Sequence, residues 1–110
     1  MNAINFKNRK KEFFTVTLPD DTVLILSTPS KKIMNRLISL KAVFDNFNEN
    51  EGDTGIIDEL YEACALVMSR NKTGKIITNE YLEETFDFDD ILYFFEEYMN
   101  FVVEVADTKN

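Results

Sequence analysis

Residues 87–106 read DFDDILYFFEEYMNFVVEVA, and the fold turns on what this stretch must pack against. Asp87 is placed to cap a helix N-terminus, with Asp90 three residues on as in a capping box. Asp89 and Asp90 lie in the first turn, where the helix dipole favours anions. Beyond them the apolar residues fall into two neighbouring rows at helical spacing. Phe88, Leu92, Phe95, Met99 and Val102 form one row. Ile91, Phe94, Tyr98, Phe101 and Val105 form the other. One row seats a helix on a small core. Two rows make a stripe wider than a terminal helix of a small domain needs, so either other helices wrap it or part of it meets a partner. The expectation is that Phe88, Leu92, Phe95 and Val102 face inward. Phe94, Tyr98 and Phe101, with Ile91 and Val105 at the ends of the same row, are then the partner-binding face.

The rest of the chain supplies a hairpin and three further helices. Glu12–Leu18 (EFFTVTL) and Thr22–Thr28 (TVLILST) are rich in β-branched and aromatic residues. Leu18-Pro19-Asp20-Asp21 joins them. Proline suits the second position of a type I turn, and Asp tolerates the left-handed conformation that closes a three-residue hairpin loop. In the first strand Phe14, Val16 and Leu18 share a face, opposite Phe13, Thr15 and Thr17. In the second, Val23 and Ile25 alternate with Leu24 and Leu26, so both faces are apolar. A lone hairpin is marginal in water, and its open edges are an oligomerisation surface, with Phe13, Leu24 and Leu26 the candidate self-association residues. Thr28-Pro29-Ser30 starts a helix, capped by Thr28 or Ser30, that runs to about Asn48. Its stripe is Ile33, Leu37, Leu40, Phe44 and Phe47, and Lys31, Lys32, Arg36 and Lys41 give it a basic face. Thr54 caps the next helix, Gly55 to about Ser69, with Ile57, Leu60, Tyr61, Cys64, Val67 and Met68 inward. Thr78 caps a short one, Asn79–Thr85, with Tyr81 and Leu82 inward. The fold class expected is α+β, mostly α: an N-terminal hairpin followed by about four helices, the last long and aromatic-rich. Residues 1–11 read as a basic flexible arm, 12–106 as a single globular domain (12–28 hairpin, 29–106 helical) and 107–110 as a polar tail.

Charge is unevenly spread. The net charge is −8, but residues 1–41 carry +5 and residues 42–110 carry −13. An acidic body repels nucleic acid and anionic membranes, and suits solubility or a basic or neutral partner. A nucleic-acid role for the basic arm is the weaker reading. The single cysteine, Cys64, excludes an intramolecular disulfide and fits a reducing compartment. The first residues lack the apolar run of a secretory signal, and no apolar run is long enough to span a bilayer.

Histidine is absent, which removes the commonest general base and metal ligand. Cys64 lies on an apolar stripe and reads as a small core residue. The loop Asn48–Asp53 has alternating acids but lacks the sixth-place Gly and twelfth-place Glu of a calcium loop. Thr73-Gly74-Lys75 lacks the earlier Gly and following Ser/Thr of a phosphate loop. The acids cluster at helix starts and solvent faces, where capping and solubility explain them. No catalytic, cofactor-binding or metal-ligating residue is therefore assigned, and no enzyme activity, cofactor, small-molecule substrate, nucleic acid or membrane is expected.

Four pieces taken in order carry a resemblance: "LPDDTVLIL" after a Phe-rich strand, "TPSKKIMNRLISL", "DELYEACALVMSRNKTGKIIT" and "EYLEETFDFDDILYFFEEYMNFV". Over residues 12–105 this order resembles the tail assembly chaperones of long-tailed phages, or prophages, of Gram-positive bacteria. Related chains often carry Gly in the hairpin turn where this one has Asp21, which tolerates the same backbone. The resemblance implies a small, non-catalytic, self-associating protein of the host cytoplasm. Such a protein coats the hydrophobic tape-measure protein, with the tail-tube protein a second client, before the tube polymerises. It also implies a longer form made by frameshifting, and Lys109-Asn110 can be encoded by an A-rich slippery run. Two other functions fit the residues: a structural tail or head-completion protein, and an acidic inhibitor or regulatory protein.

Overall fold

The hairpin closes as its turn residues dictate. In the computed structural model, which describes residues 3–7, 11–46 and 54–107, the strands β1 (Phe14–Thr17) and β2 (Val23–Leu26) pair antiparallel with Phe14 opposite Leu26 and Thr17 opposite Val23. The Asp21 amide donates to the Leu18 carbonyl (2.9 Å) and the Leu18 amide to the Thr22 carbonyl (2.8 Å). Asp21 sits at φ +70°, the left-handed position expected of it. Asp20 accepts from the Thr22 amide at 3.0 Å. The hydroxyl and amide of Thr22 hold the Asp20 carboxyl below its usual range.

Four helices follow: α1 (Lys31–Asp45), α2 (Thr54–Ser69), α3 (Asn79–Thr85) and α4 (Phe88–Asp107). The protein is thus α+β and mostly α, a two-stranded antiparallel hairpin followed by four helices. Three helix starts are set by side-chain caps, which satisfy amides the first turn leaves unpaired. Ser30 accepts from the Ile33 amide, Thr78 from Tyr81 (3.0 Å) and Asp87 from Asp90 (2.9 Å). Of the two caps open for α1, Ser30 is the one used. α1, expected to run to about Asn48, ends at Asp45 with Asn46 as its C-cap, whereas Phe47 and the loop Asn48–Asp53 lie outside the described residues, as do 1–2, 8–10 and 108–110.

The hub is α2, which touches α1, α3, α4 and β2. Its buried residues, Leu60, Tyr61, Ala63, Cys64, Ala65, Val67 and Met68, cover a little over half of its circumference, with Glu59, Glu62 and Leu66 left on the solvent side, a stripe wide enough to take several neighbours. Leu37 and Leu40 of α1, Leu82 of α3, and Leu24 and Leu26 of β2 close on it. Each fully buried aliphatic or aromatic side chain here contributes about 1.5–3 kcal/mol of burial. One ion pair ties α1 to α2, Arg36 to Glu62 at 3.0 Å; both side chains are substantially exposed, so it adds little.

The link from α2 to α3 is held by two polar side chains. Ser69 Oγ donates to the Ile77 carbonyl (3.1 Å) and accepts from its amide (2.9 Å). Asn71 donates to the Met68 and Lys75 carbonyls (2.8 and 2.7 Å) and accepts from the Thr73 hydroxyl and Lys75 amide (both 2.9 Å). Gly74, at φ +75°, completes this turn in a conformation that other residues adopt at a cost. Ile77 is buried as a result and Ile76 is left in solvent. Among the described residues, no helix is long and apolar enough to cross a membrane.

Candidate functional site

The row on α4 expected to face a partner is the one that grips the hairpin. Ile91, Tyr98 and Val105 are buried, and Phe94 and Phe101 are half-buried against the core. The cause is Phe14 on the inner face of β1. Its ring lies 6.2 Å from Phe94, 5.8 Å from Tyr98 and 5.4 Å from Phe101, and Phe94 stacks on Tyr98 at 5.9 Å. Tyr98 is locked further by donating its hydroxyl to the Ser27 carbonyl, 2.8 Å away and 71 residues earlier. Burial pushes its phenol well above the ordinary range. In the row expected to face inward, Phe95 and Met99 are buried, whereas Phe88, Leu92 and Val102 are half-buried. Both rows therefore serve the chain's own core, and the outer surface of α4 is Tyr93, Glu96, Glu97, Asn100 and Val103.

The hairpin needs a parallel correction. Leu24 and Leu26, assigned to self-association, are 1% and 0% exposed. They point onto α2, because it is their face of β2 that the helices cover. The outward face carries Val23 and Ile25, with Phe13 beside them under the Lys72 ammonium, 4.2 Å from its ring centre.

The edges of the hairpin differ. Antiparallel pairs alternate between hydrogen-bonded and non-bonded. Because the Leu18 amide bonds to the Thr22 carbonyl, Val16–Leu24 and Phe14–Leu26 are the bonded pairs. Val23 and Ile25 on one strand and Thr15 and Thr17 on the other turn their backbone groups to the outside. On the β2 side the Ile25 carbonyl is met: the Lys72 amide donates to it (3.0 Å), and Leu26 bridges Asn71. On the β1 side no described strand pairs with Thr15 or Thr17.

A groove of about 550 Å³ runs along that open edge. Its walls are β1 from Phe14 to Thr17, the α2 and α3 ends at Met68 and Phe86, and Ile91 and Phe94 of α4. The charged residues lining it, Asp90 and Glu97, are both acidic. Tyr93, largely exposed, stands between them on α4. A second hollow of about 460 Å³ separates α1 from α4 around Phe44, Phe88 and Leu92, where the rings of Phe44 and Phe88 lie 6.0 Å apart.

Cys64 is 1% exposed in the core, and burial drives its thiol far above the ordinary range, so the nucleophilic thiolate is suppressed. Among the described residues, no three His, Cys, Asp or Glu side chains gather as metal ligands would. The groove thus offers two things: strand-edge groups that no described strand pairs, open to backbone bonding, and an apolar wall for side chains. Sequence reading missed it because it belongs to no single element. Comparison with protein-family models, characterised proteins and solved structures gives no match to this chain.

Proposed function

We propose that the chain is a non-catalytic tail assembly chaperone of a long-tailed phage or prophage of a Gram-positive host. It acts in the bacterial cytoplasm, holding the hydrophobic tape-measure protein, and the tail-tube protein as a second client, until the tube polymerises. The observation that carries this reading is the groove between the open edge of β1 and α4, an apolar hollow beside backbone groups that no described strand pairs. Such a surface accepts an apolar segment with little demand on its sequence, since strand-edge bonds are made to backbone and the wall to any apolar side chain. The resemblance over residues 12–105 supplies the client's identity.

The burial of Phe94, Tyr98 and Phe101 moves the client surface outward, to Tyr93 and the groove wall. The test is co-expression of a tagged chain with the longest helical open reading frame encoded downstream of its gene. The client is expected to become soluble and to co-elute at high salt, since contacts made by burial are little affected by screening. Tyr93→Ser should weaken that co-elution and leave the helix signal unchanged. A client that stays insoluble beside a folded chain overturns the reading. Capture of a basic partner that salt releases would point instead to an acidic inhibitor, and recovery of the chain in purified particles to a structural tail protein.

A further inference from the structure

We propose that residues Ile4–Lys7 of a second copy of this chain dock in the groove, as a strand added to the open edge of β1. Among the described residues, Ile4 and Phe6 are the most exposed of the large apolar side chains, at 81% and 76%. They lie two apart, so in an extended segment both project to one face, the spacing that a groove beside a strand edge receives. In its own chain this segment does not fill the groove. The Lys7 amide donates to Asn5 Oδ1 at 3.0 Å, folding the segment into a local turn with both apolar side chains in solvent.

Length and charge fit the same occupant. Four extended residues span roughly 13 Å, which matches the four residues of β1. Residues 1–11 carry Lys7, Arg9, Lys10 and Lys11 and no acid, whereas the charged lining of the groove is Asp90 and Glu97. Reciprocal exchange of the segment between two copies closes a two-fold dimer, and one-way exchange builds a ring or chain. The inference rests on the groove receiving apolar segments and is independent of which client it holds. Where the chaperone reading also stands, self-association and client binding compete for one site.

The experiment is molar mass by light scattering against concentration, at low and high salt, for the full chain and two variants. Ile4→Ser with Phe6→Ser alters two solvent-facing side chains and leaves the core untouched. Thr15→Pro removes an outward amide at the open edge and spares the ladder to β2, where proline is tolerated. The unaltered chain is expected to rise from the monomer mass of 12.8 kDa to at least that of a dimer, less readily at high salt. Both variants should stay monomeric with full helix signal. Monomeric behaviour of the unaltered chain at every concentration overturns the proposal. So does unchanged self-association of the Ile4/Phe6 variant. A monomeric chain whose Thr15 amide loses hydrogen-exchange protection in that variant would show docking within one chain, which also overturns it. Client co-elution is read separately: its loss with self-association intact would sink the chaperone reading alone.

Discussion

The two edges of the hairpin share one turn and one register, yet one is closed and the other open. Along β2 the Ile25 carbonyl receives the Lys72 amide and Leu26 bridges Asn71, so the end of the strand is flanked on both sides. Along β1 the outward groups of Thr15 and Thr17 meet no described strand, and an apolar groove follows them. The difference comes from distant chain. Asn71 ties its own turn with four hydrogen bonds and so presents residue 72 to β2. Among the described residues, nothing comparable reaches β1. An exposed strand edge with an apolar flank is a hazard for stray pairing unless something covers it. The closed edge is held by the chain's own turn, and the open one is the edge on which the proposed recognition rests.

The sharpest way to break the closed side is at its anchor. Leu26→Ala removes a side chain with no solvent exposure and should cost about 2–5 kcal/mol in a denaturant titration. Val23→Ala, on the outward face of the same strand, should cost under about 0.5 kcal/mol, as surface changes do. Equal losses would show that the outward face is buried in solution, by a second copy or by residues not described. Next comes Asn71→Ala, which should cost about 0.5–1.5 kcal/mol because the turn loses its clasp of hydrogen bonds, the one to the Met68 carbonyl part-buried. Hydrogen exchange makes this sharper. The Lys72 amide should exchange slowly in the unaltered chain and quickly in the variant. The Thr15 and Thr17 amides should exchange quickly in both when the protein is dilute.

Much of this fold is legible in the sequence because it is local. The caps Ser30, Thr78 and Asp87, the left-handed Asp21 and the alternation along β1 each follow from neighbours within three or four residues. The candidate functional surface is not local. Periodicity places two apolar rows on α4, but it carries no sign of which row is covered. That is decided by Phe14, a ring some eighty residues away that packs against Phe94, Tyr98 and Phe101. The two apolar faces of β2 pose the same ambiguity, and α2 resolves it by covering Leu24 and Leu26. Asn71 reads in sequence as an ordinary turn residue, and its place as the clasp of one sheet edge appears only once β2 lies beside it.

The sealed side should also titrate. Burial raises the Cys64 thiol and Tyr98 phenol above their ordinary values of 9.0 and 10.0. Both groups are neutral when protonated, so the unfolded chain loses these protons first as pH rises. Stability is then fully present below pH 9.0 and falls above it. Cys64 alone gives a slope of up to about 1.4 kcal/mol per pH unit. Cys64→Ala should lower stability at neutral pH by leaving a small void, and flatten the loss between pH 9.0 and 10.0. An unchanged alkaline slope would mean that the thiol is not sealed in solution.

The smallest effect is at the turn the two edges share. Asp21 holds φ +70°, a conformation that costs an ordinary L-residue roughly 1–2 kcal/mol and costs Asp less. Asp21→Gly removes that strain but enlarges the freedom of the unfolded chain, a penalty of about 0.4–1 kcal/mol. The two terms nearly cancel, so the glycine variant should lie within a few tenths of a kcal/mol of the parent. Asp21→Ala keeps the strain without the tolerance of Asp and should be the less stable of the two by about 1 kcal/mol. Since the turn feeds both edges, neither change should alter the contrast in exchange between Lys72 and Thr15. If Asp21→Ala also frees the Lys72 amide, the closed edge depends on the turn, and the clasp at Asn71 is not its sole support.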